Sequence, residues 1–150
     1  MATTGTSKEV HELTDPTYEL RPIGRVESPL TDRAAAPKQG DEGAPRARVV
    51  FLPEFREAAS GLREGDEVLV LTWLHLGRRD VLCVHPRGDP KRPLTGVFAT
   101  RSPDRPNPIG LHAVAIEAVE EDAITVRDFE AIDGTPVLDV KPVLGKRSER

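Results

Sequence analysis

A small antiparallel β-barrel of six or seven strands with one short helix is the fold class this sequence predicts, on three observations. Short apolar runs with period-2 alternation, such as residues 112–119 and 123–127, have strand spacing. Segments rich in Gly, Pro and Asp separate these runs, and strands do not alternate with helices, which favours an antiparallel barrel over a doubly wound sheet. No Gly-x-Gly-x-x-Gly follows any strand, so a Rossmann nucleotide site has no support.

Each element has its own reason. Residues 1–16 are polar and carry almost no large apolar side chains, so nothing offsets the entropy of ordering them, and they are expected to form a tail. Residues 145–150, GKRSER, are expected to form a second tail, leaving one folded domain at 17–144. A first strand spans 18–28, with Leu20, Ile23 and Val26 as its apolar residues. Residues 31–45 have no usable period and form a loop around APKQG. A second strand spans 46–52. Pro53 then opens a short helix through Phe55, Ala58, Ala59 and Leu62, with Gly65 beyond its end. Residues 67–75 are the most apolar run, apolar on both alternating faces, which predicts a strand buried on both sides and ended by His75. Residues 96–99 are strand-like. Runs 112–119 and 123–127 form a hairpin around the acidic turn Glu120, Glu121 and Asp122. Asp133-Gly134-Thr135 is a turn, and 138–144 is the last strand, with Asp139 and Lys141 on one face.

Composition limits the function classes. The apolar share of 37% and charged share of 31% are those of a soluble globular domain, and an aromatic share of 4% leaves room only for a small base-stacking platform. Cys83 is the only cysteine, which excludes an internal disulfide and fits a reducing cytosol, and its VLCVH setting predicts a buried thiol. No run has the length of a membrane span and no signal-peptide pattern opens the chain, so a cytoplasmic protein with no membrane role is expected. No Cys and His spacing supports a metal site.

Chemistry concentrates in residues 96–114, GVFATRSPDRPNPIGLHAV. Pro103, Pro106 and Pro108 fix φ and remove donors, so neither helix nor interior strand runs through them. The result is a stiff loop that offers Thr100, Arg101, Ser102, Arg105 and Asn107. The plainer reading is turn punctuation with solvated arginines. Yet two arginines four apart suit a carboxylate or phosphate, and a stiff loop loses little entropy on binding. Residues 78–105 carry seven Lys or Arg against Asp80, Asp89 and Asp104, a net +4 within a chain of net −4. Such segregation suits steering of an anionic partner, a nucleotide or a nucleic acid.

The run FATRSPDRPNPIGL, with IGRVESP at 23–29, APKQG at 36–40, and DGTP at 133–136 followed by LDVKP, resembles the TsaA-like (TrmO-type) family of S-adenosylmethionine-dependent tRNA threonylcarbamoyladenosine methyltransferases. The resemblance covers about residues 20–144. It implies a non-Rossmann barrel that binds S-adenosylmethionine and works as a homodimer with the site near the subunit interface. By the same resemblance, Lys38, Gln39, Gly40, His75, Leu76, Arg101, Leu111, Asp133, Gly134, Thr135 and Pro136 are the expected cofactor contacts. His112 stands where the family often has Ser, Lys38 where it usually has Arg, and the C-terminal extension of longer members is not in this sequence.

The expected activity is methyl transfer to a nitrogen of threonylcarbamoyladenosine beside the tRNA anticodon. Arg78, Arg79, Arg105 and Asn107 are the candidates for binding the acceptor. His75, Asn107 and His112 are the candidate catalytic groups, either histidine being able to assist deprotonation of the acceptor. Two alternatives stand beside this reading: methylation of a small anionic metabolite, and a non-enzymatic barrel that binds S-adenosylmethionine or nucleic acid.

Overall fold

The computed structural model describes residues 15–32 and 43–145. The expectations for Lys38, Gln39 and Gly40, and those for residues 1–14 and 146–150, lie outside these residues.

Eight strands follow in chain order: β1 Gly24–Glu27, β2 Ala47–Phe51, β3 Glu67–Trp73, β4 Cys83–Val84, β5 Thr95–Gly96, β6 Ile109–Val119, β7 Ala123–Arg127 and β8 Pro136–Pro142. Six of them close an antiparallel barrel in the order β1, β2, β7, β6, β3, β8, while β4 and β5 pair as a separate ribbon. Alternation builds the interior. Val68, Val70 and Thr72 of β3 point inward beside Val114, His112 and Gly110 of β6, their register partners. Val26, Val49, Ile124, Val126 and Val137 complete the wall, and Phe129 is fully buried among them. Small β-branched side chains suit an interior this narrow, because barrel diameter falls with strand number.

The expected hairpin is present: β6 pairs with β7, and the Glu120 N–H donates to the Ala123 carbonyl at 2.8 Å. Across the wall, Arg48 of β2 ties Glu27 of β1 to Glu120, at 2.5 and 2.9 Å. The helix predicted from Pro53 is a 3-10 helix, Pro53–Ala59; Ala59 and the following Leu62 pack against the core. No helix among the described residues is long and apolar enough to cross a membrane.

Four expectations change. The first strand begins at Gly24 rather than residue 18, and Tyr18 and Leu20 are exposed. Residues 96–99 are not a strand beyond Gly96; Val97–Ala99 is a 3-10 turn. β3 is buried on one face only, with Leu69, Leu71 and Trp73 half-buried, because a single-layer barrel has only one interior to offer. Cys83 is exposed rather than buried: its two-residue strand belongs to the outer ribbon, and a two-stranded ribbon has no second layer to cover it.

Trp73 and Ile109 are register partners at the ends of β3 and β6, so residues 74–108 form one long excursion that leaves and re-enters the barrel at adjacent strands. This excursion carries the candidate site.

Candidate functional site

Hydrogen bonds convert the proline-rich loop into a rigid shelf. The Thr100 hydroxyl accepts the Ser102 N–H and the Ser102 hydroxyl accepts the Asp104 N–H, both at 3.1 Å. Arg105 Nη1 donates to the carbonyls of Thr100 and Ser102, each at 3.0 Å, so this guanidinium braces the loop from within. The shelf is fastened to residues 74–79. Arg105 N–H donates to the Arg78 carbonyl at 2.9 Å, Arg78 N–H to Asp104 Oδ1 at 2.9 Å, and Leu74 N–H to the Pro108 carbonyl at 2.7 Å. The approach is closest at Gly77, where any Cβ would overlap the Pro103 carbonyl oxygen. Glycine is required there by space, not by φ.

Two of the expected substrate arginines are engaged in the same framework. Arg79 donates from Nε to the Pro106 carbonyl at 2.7 Å and from Nη2 to Asn107 Oδ1 at 2.9 Å, with its guanidinium 5.3 Å from the Trp73 ring centroid. Arg78 makes a two-point contact with Asp80, at 3.1 and 2.9 Å. The Arg78 hydrogen bond, then the Asp80 backbone and the Arg78 charge, hold the Asp80 carboxyl below the ordinary aspartate range.

Between this shelf and the barrel mouth opens a cavity of about 1490 Å³. Its lining includes His75, Leu76, Arg101, Arg105, Leu111, His112 and Thr135 from the expected set. Arg101 is exposed, and among the described residues its guanidinium holds only a 3.3 Å bond from Nη1 to the Leu111 carbonyl. Asp133, Gly134, Pro136, Arg78, Arg79 and Asn107 are not in the lining. Asp133 instead accepts the Ser28 N–H at 3.0 Å and donates its own N–H to the Leu30 carbonyl, so its turn is pinned to the end of β1. The Thr135 hydroxyl is satisfied by the Ile132 carbonyl at 2.7 Å.

Below the cavity lies a group that sequence reasoning found only in part. His112 is buried on the inner face of β6. Its Nε2 is 2.7 Å from the fully buried Thr72 Oγ1, and its Nδ1 is hydrogen-bonded to Glu130 Oε1. Phe129 sets an edge against the imidazole, with centroids 4.9 Å apart. Thr72 and Glu130 were missed because they stand 40 and 18 residues from His112. The available signal was Thr72, a polar residue continuing the inward face of Val68 and Val70, opposite a glycine.

Donor counting fixes the tautomer. The Thr72 hydroxyl has one proton to give and no other partner among the described residues, so it donates to Nε2 and leaves the Nδ1 proton for Glu130. Carboxylate, imidazole and hydroxyl in series resemble a hydrolase triad. Complete burial of Thr72 rules it out as a nucleophile, since nothing in the cavity reaches its oxygen. The exposed end of the series is Glu130, whose side chain is 16% exposed and lines the cavity.

The family model for the tRNA-methyltransferase O N-terminal domain matches residues 25–147. Over 130 residues the chain is 43% identical to a probable S-adenosyl-L-methionine-binding protein of Methanothermobacter thermautotrophicus, covering 87% of this chain and 93% of that relative. A probable S-adenosyl-L-methionine-binding protein of Methanocaldococcus jannaschii is 48% identical over 128 residues, 83% of this chain and 90% of its own. The crystal structure of TrmO from Pseudomonas aeruginosa has a TM-score of 0.68 at 33% identity, over 86% of this chain and 55% of that one. The chain thus spans nearly all of the first two relatives and just over half of TrmO. With the family model covering most of its length, this chain belongs to the tRNA-methyltransferase O N-terminal domain family.

Proposed function

We propose that this chain is an S-adenosylmethionine-dependent methyltransferase acting on threonylcarbamoyladenosine beside the tRNA anticodon, as a cytoplasmic homodimer. The observation that carries the reading is the cavity. It is open to solvent, and its volume of about 1490 Å³ is not smaller than the roughly 300–1,000 Å³ of small-molecule sites. Its chemistry fits the cofactor. Arg101 offers a cation to the methionine carboxylate, and Leu76 and Leu111 offer apolar walls to the adenine. Lys38, Gln39, Gly40 and the turn at Asp133, Gly134, Thr135 and Pro136 complete the proposed cofactor set.

When bound, the cofactor supplies a methyl group on a sulfonium, already activated for transfer to nitrogen. The chain's contribution is then alignment and exclusion of water by a shelf that does not need to reorganise. Membership of the family supports tRNA as the acceptor, and the arginines on the cavity wall support an anionic one. The half-buried outward face of Leu69, Leu71 and Trp73, continued by Ile109 and Leu111 of β6, supports self-association.

Incubation with methyl-labelled S-adenosylmethionine and total tRNA, followed by digestion to nucleosides, is expected to place label in threonylcarbamoyladenosine. A small anionic metabolite is the second reading. It is favoured by the engagement of Arg78 with Asp80 and of Arg79 with Asn107, which reduces the cationic surface open to phosphates. Label appearing only in a small-molecule extract would select it. Sedimentation at micromolar concentration tests the dimer.

A further inference from the structure

We propose that Glu130 is the proton acceptor of the reaction, and that His112 and Thr72 are positioning residues that hold its carboxylate. The assignment rests on the methyl-transfer reading and moves the basic role from the two histidines to a residue outside the sequence motifs. Three observations carry it. Glu130 and His112 both line the cavity, but the Glu130 side chain is the more exposed, 16% against 6%, and Thr72 is sealed. Glu130 Oε1 takes the His112 Nδ1 proton, while Oε2 has no partner among the described residues. Only Arg56 Nε is both buried and unsatisfied among those residues, so Oε2 is accessible from outside rather than stranded. His112 Nε2 is occupied by the Thr72 hydroxyl, so the imidazole has no lone pair to offer an acceptor. His75 stays on the lining, but its exposed ring has no hydrogen bond among the described residues to hold it in one orientation.

The step balances in atoms and charge. The acceptor N–H bond breaks and leaves its electron pair on nitrogen, the new N–C bond forms, and the S–C pair returns to sulfur. Glu130 Oε2 takes the proton. Carboxylate and sulfonium charges disappear together, leaving a neutral acid and a neutral thioether. Because Oε1 remains bonded to His112, the second oxygen is presented without a rotamer search. Glu130 returns its proton to bulk solvent once the products have left.

The test uses the full chain with two variants, Glu130→Gln and Glu130→Ala. Glutamine keeps an acceptor for the His112 proton, so Glu130→Gln is expected to fold and to bind S-adenosylmethionine within about threefold of the parent by calorimetry. Its single-turnover transfer to tRNA bearing threonylcarbamoyladenosine is expected to fall by about 10²- to 10⁴-fold, the usual worth of a general base. Added formate is expected to restore transfer in Glu130→Ala and not in Glu130→Gln, where the amide fills the space. Parallel loss of cofactor binding and transfer in Glu130→Gln would assign the residue a structural role and overturn the proposal. So would near-parental turnover by that variant, or the absence of formate rescue. If the parent protein binds the cofactor but transfers no methyl group to tRNA or to a small-molecule extract, the methyl-transfer reading itself fails, an outcome distinct from failure of the variants, and the proton-acceptor role falls with it.

Discussion

Thr72 Oγ1 and His112 Nε2 meet at 2.7 Å across Gly110, the one inward position between them where β6 carries no side chain. A Cβ at Gly110 would overlap Thr72 Oγ1 and stand 2.7 Å from His112 Nε2 and 3.0 Å from Leu74 Cδ2. Gly110→Ala is therefore expected to separate the pair and cost about 1–3 kcal/mol, as overpacking does. Urea denaturation measures the loss. An unchanged midpoint would show that the imidazole can move aside freely.

Phe129 closes the barrel interior and sets its edge against His112. Phe129→Ala is expected to destabilise the chain by about 3–5 kcal/mol, the range for emptying a buried aromatic site. A chemical denaturation curve with unchanged slope and a lowered midpoint is the expected result.

Arg101 and Arg105 should separate in their effects. Arg101→Ala removes an exposed guanidinium with one long internal bond, so the melting temperature of the free protein should hold while S-adenosylmethionine affinity drops by about 1–3 kcal/mol. Arg105→Ala breaks both bonds to the Thr100 and Ser102 carbonyls, and should lower stability and affinity together. Calorimetry beside thermal melting distinguishes the two, and identical behaviour would contradict the division between ligand contact and loop brace.

The Arg78–Asp80 pair predicts a pH effect of defined sign. The folded-state pKa of Asp80 is depressed, chiefly by the Arg78 hydrogen bond, so its stabilising contribution is present above the ordinary carboxylate range. It is lost as pH falls through the folded value. Both side chains are exposed, so the effect on stability is small. A carbon-detected titration should show the Asp80 midpoint below that of ordinary aspartates and its return upward in Arg78→Ala.

Most of the barrel was legible because its strands alternate. Val114 and Ile116 mark an inward face by spacing alone, and three prolines announce the loop, whereas the run 67–75, apolar on both alternating faces, does not tell Val68 and Val70 from Leu69 and Leu71. Tertiary placement was not legible. The run around Cys83 has the local character of a core strand, yet Cys83 is exposed among the described residues, and sequence does not say which strands close the wall. Arg79 and Arg105 read as ligands because their hydrogen-bond acceptors are carbonyls or residues well separated in the chain, and carbonyls carry no signature in the sequence. Glu130 follows Phe129 in a stretch without period, and only closure of the barrel brings it to His112.

Because Trp73 and Ile109 face each other in register, residues 74–108 begin and end a single ladder step apart. The barrel would close just as well over a short turn at that point, since loop-closure entropy grows only with the logarithm of length. The proline-rich shelf is thus separable from the scaffold in a way that Thr72, His112 and Glu130 are not. Relatives can be expected to lengthen, exchange or remodel the excursion and so acquire different acceptors. Thr72, His112 and Glu130 lie outside the excursion, on β3, on β6 and between β7 and β8, which makes the excursion a natural cassette for transplantation between barrels of this family.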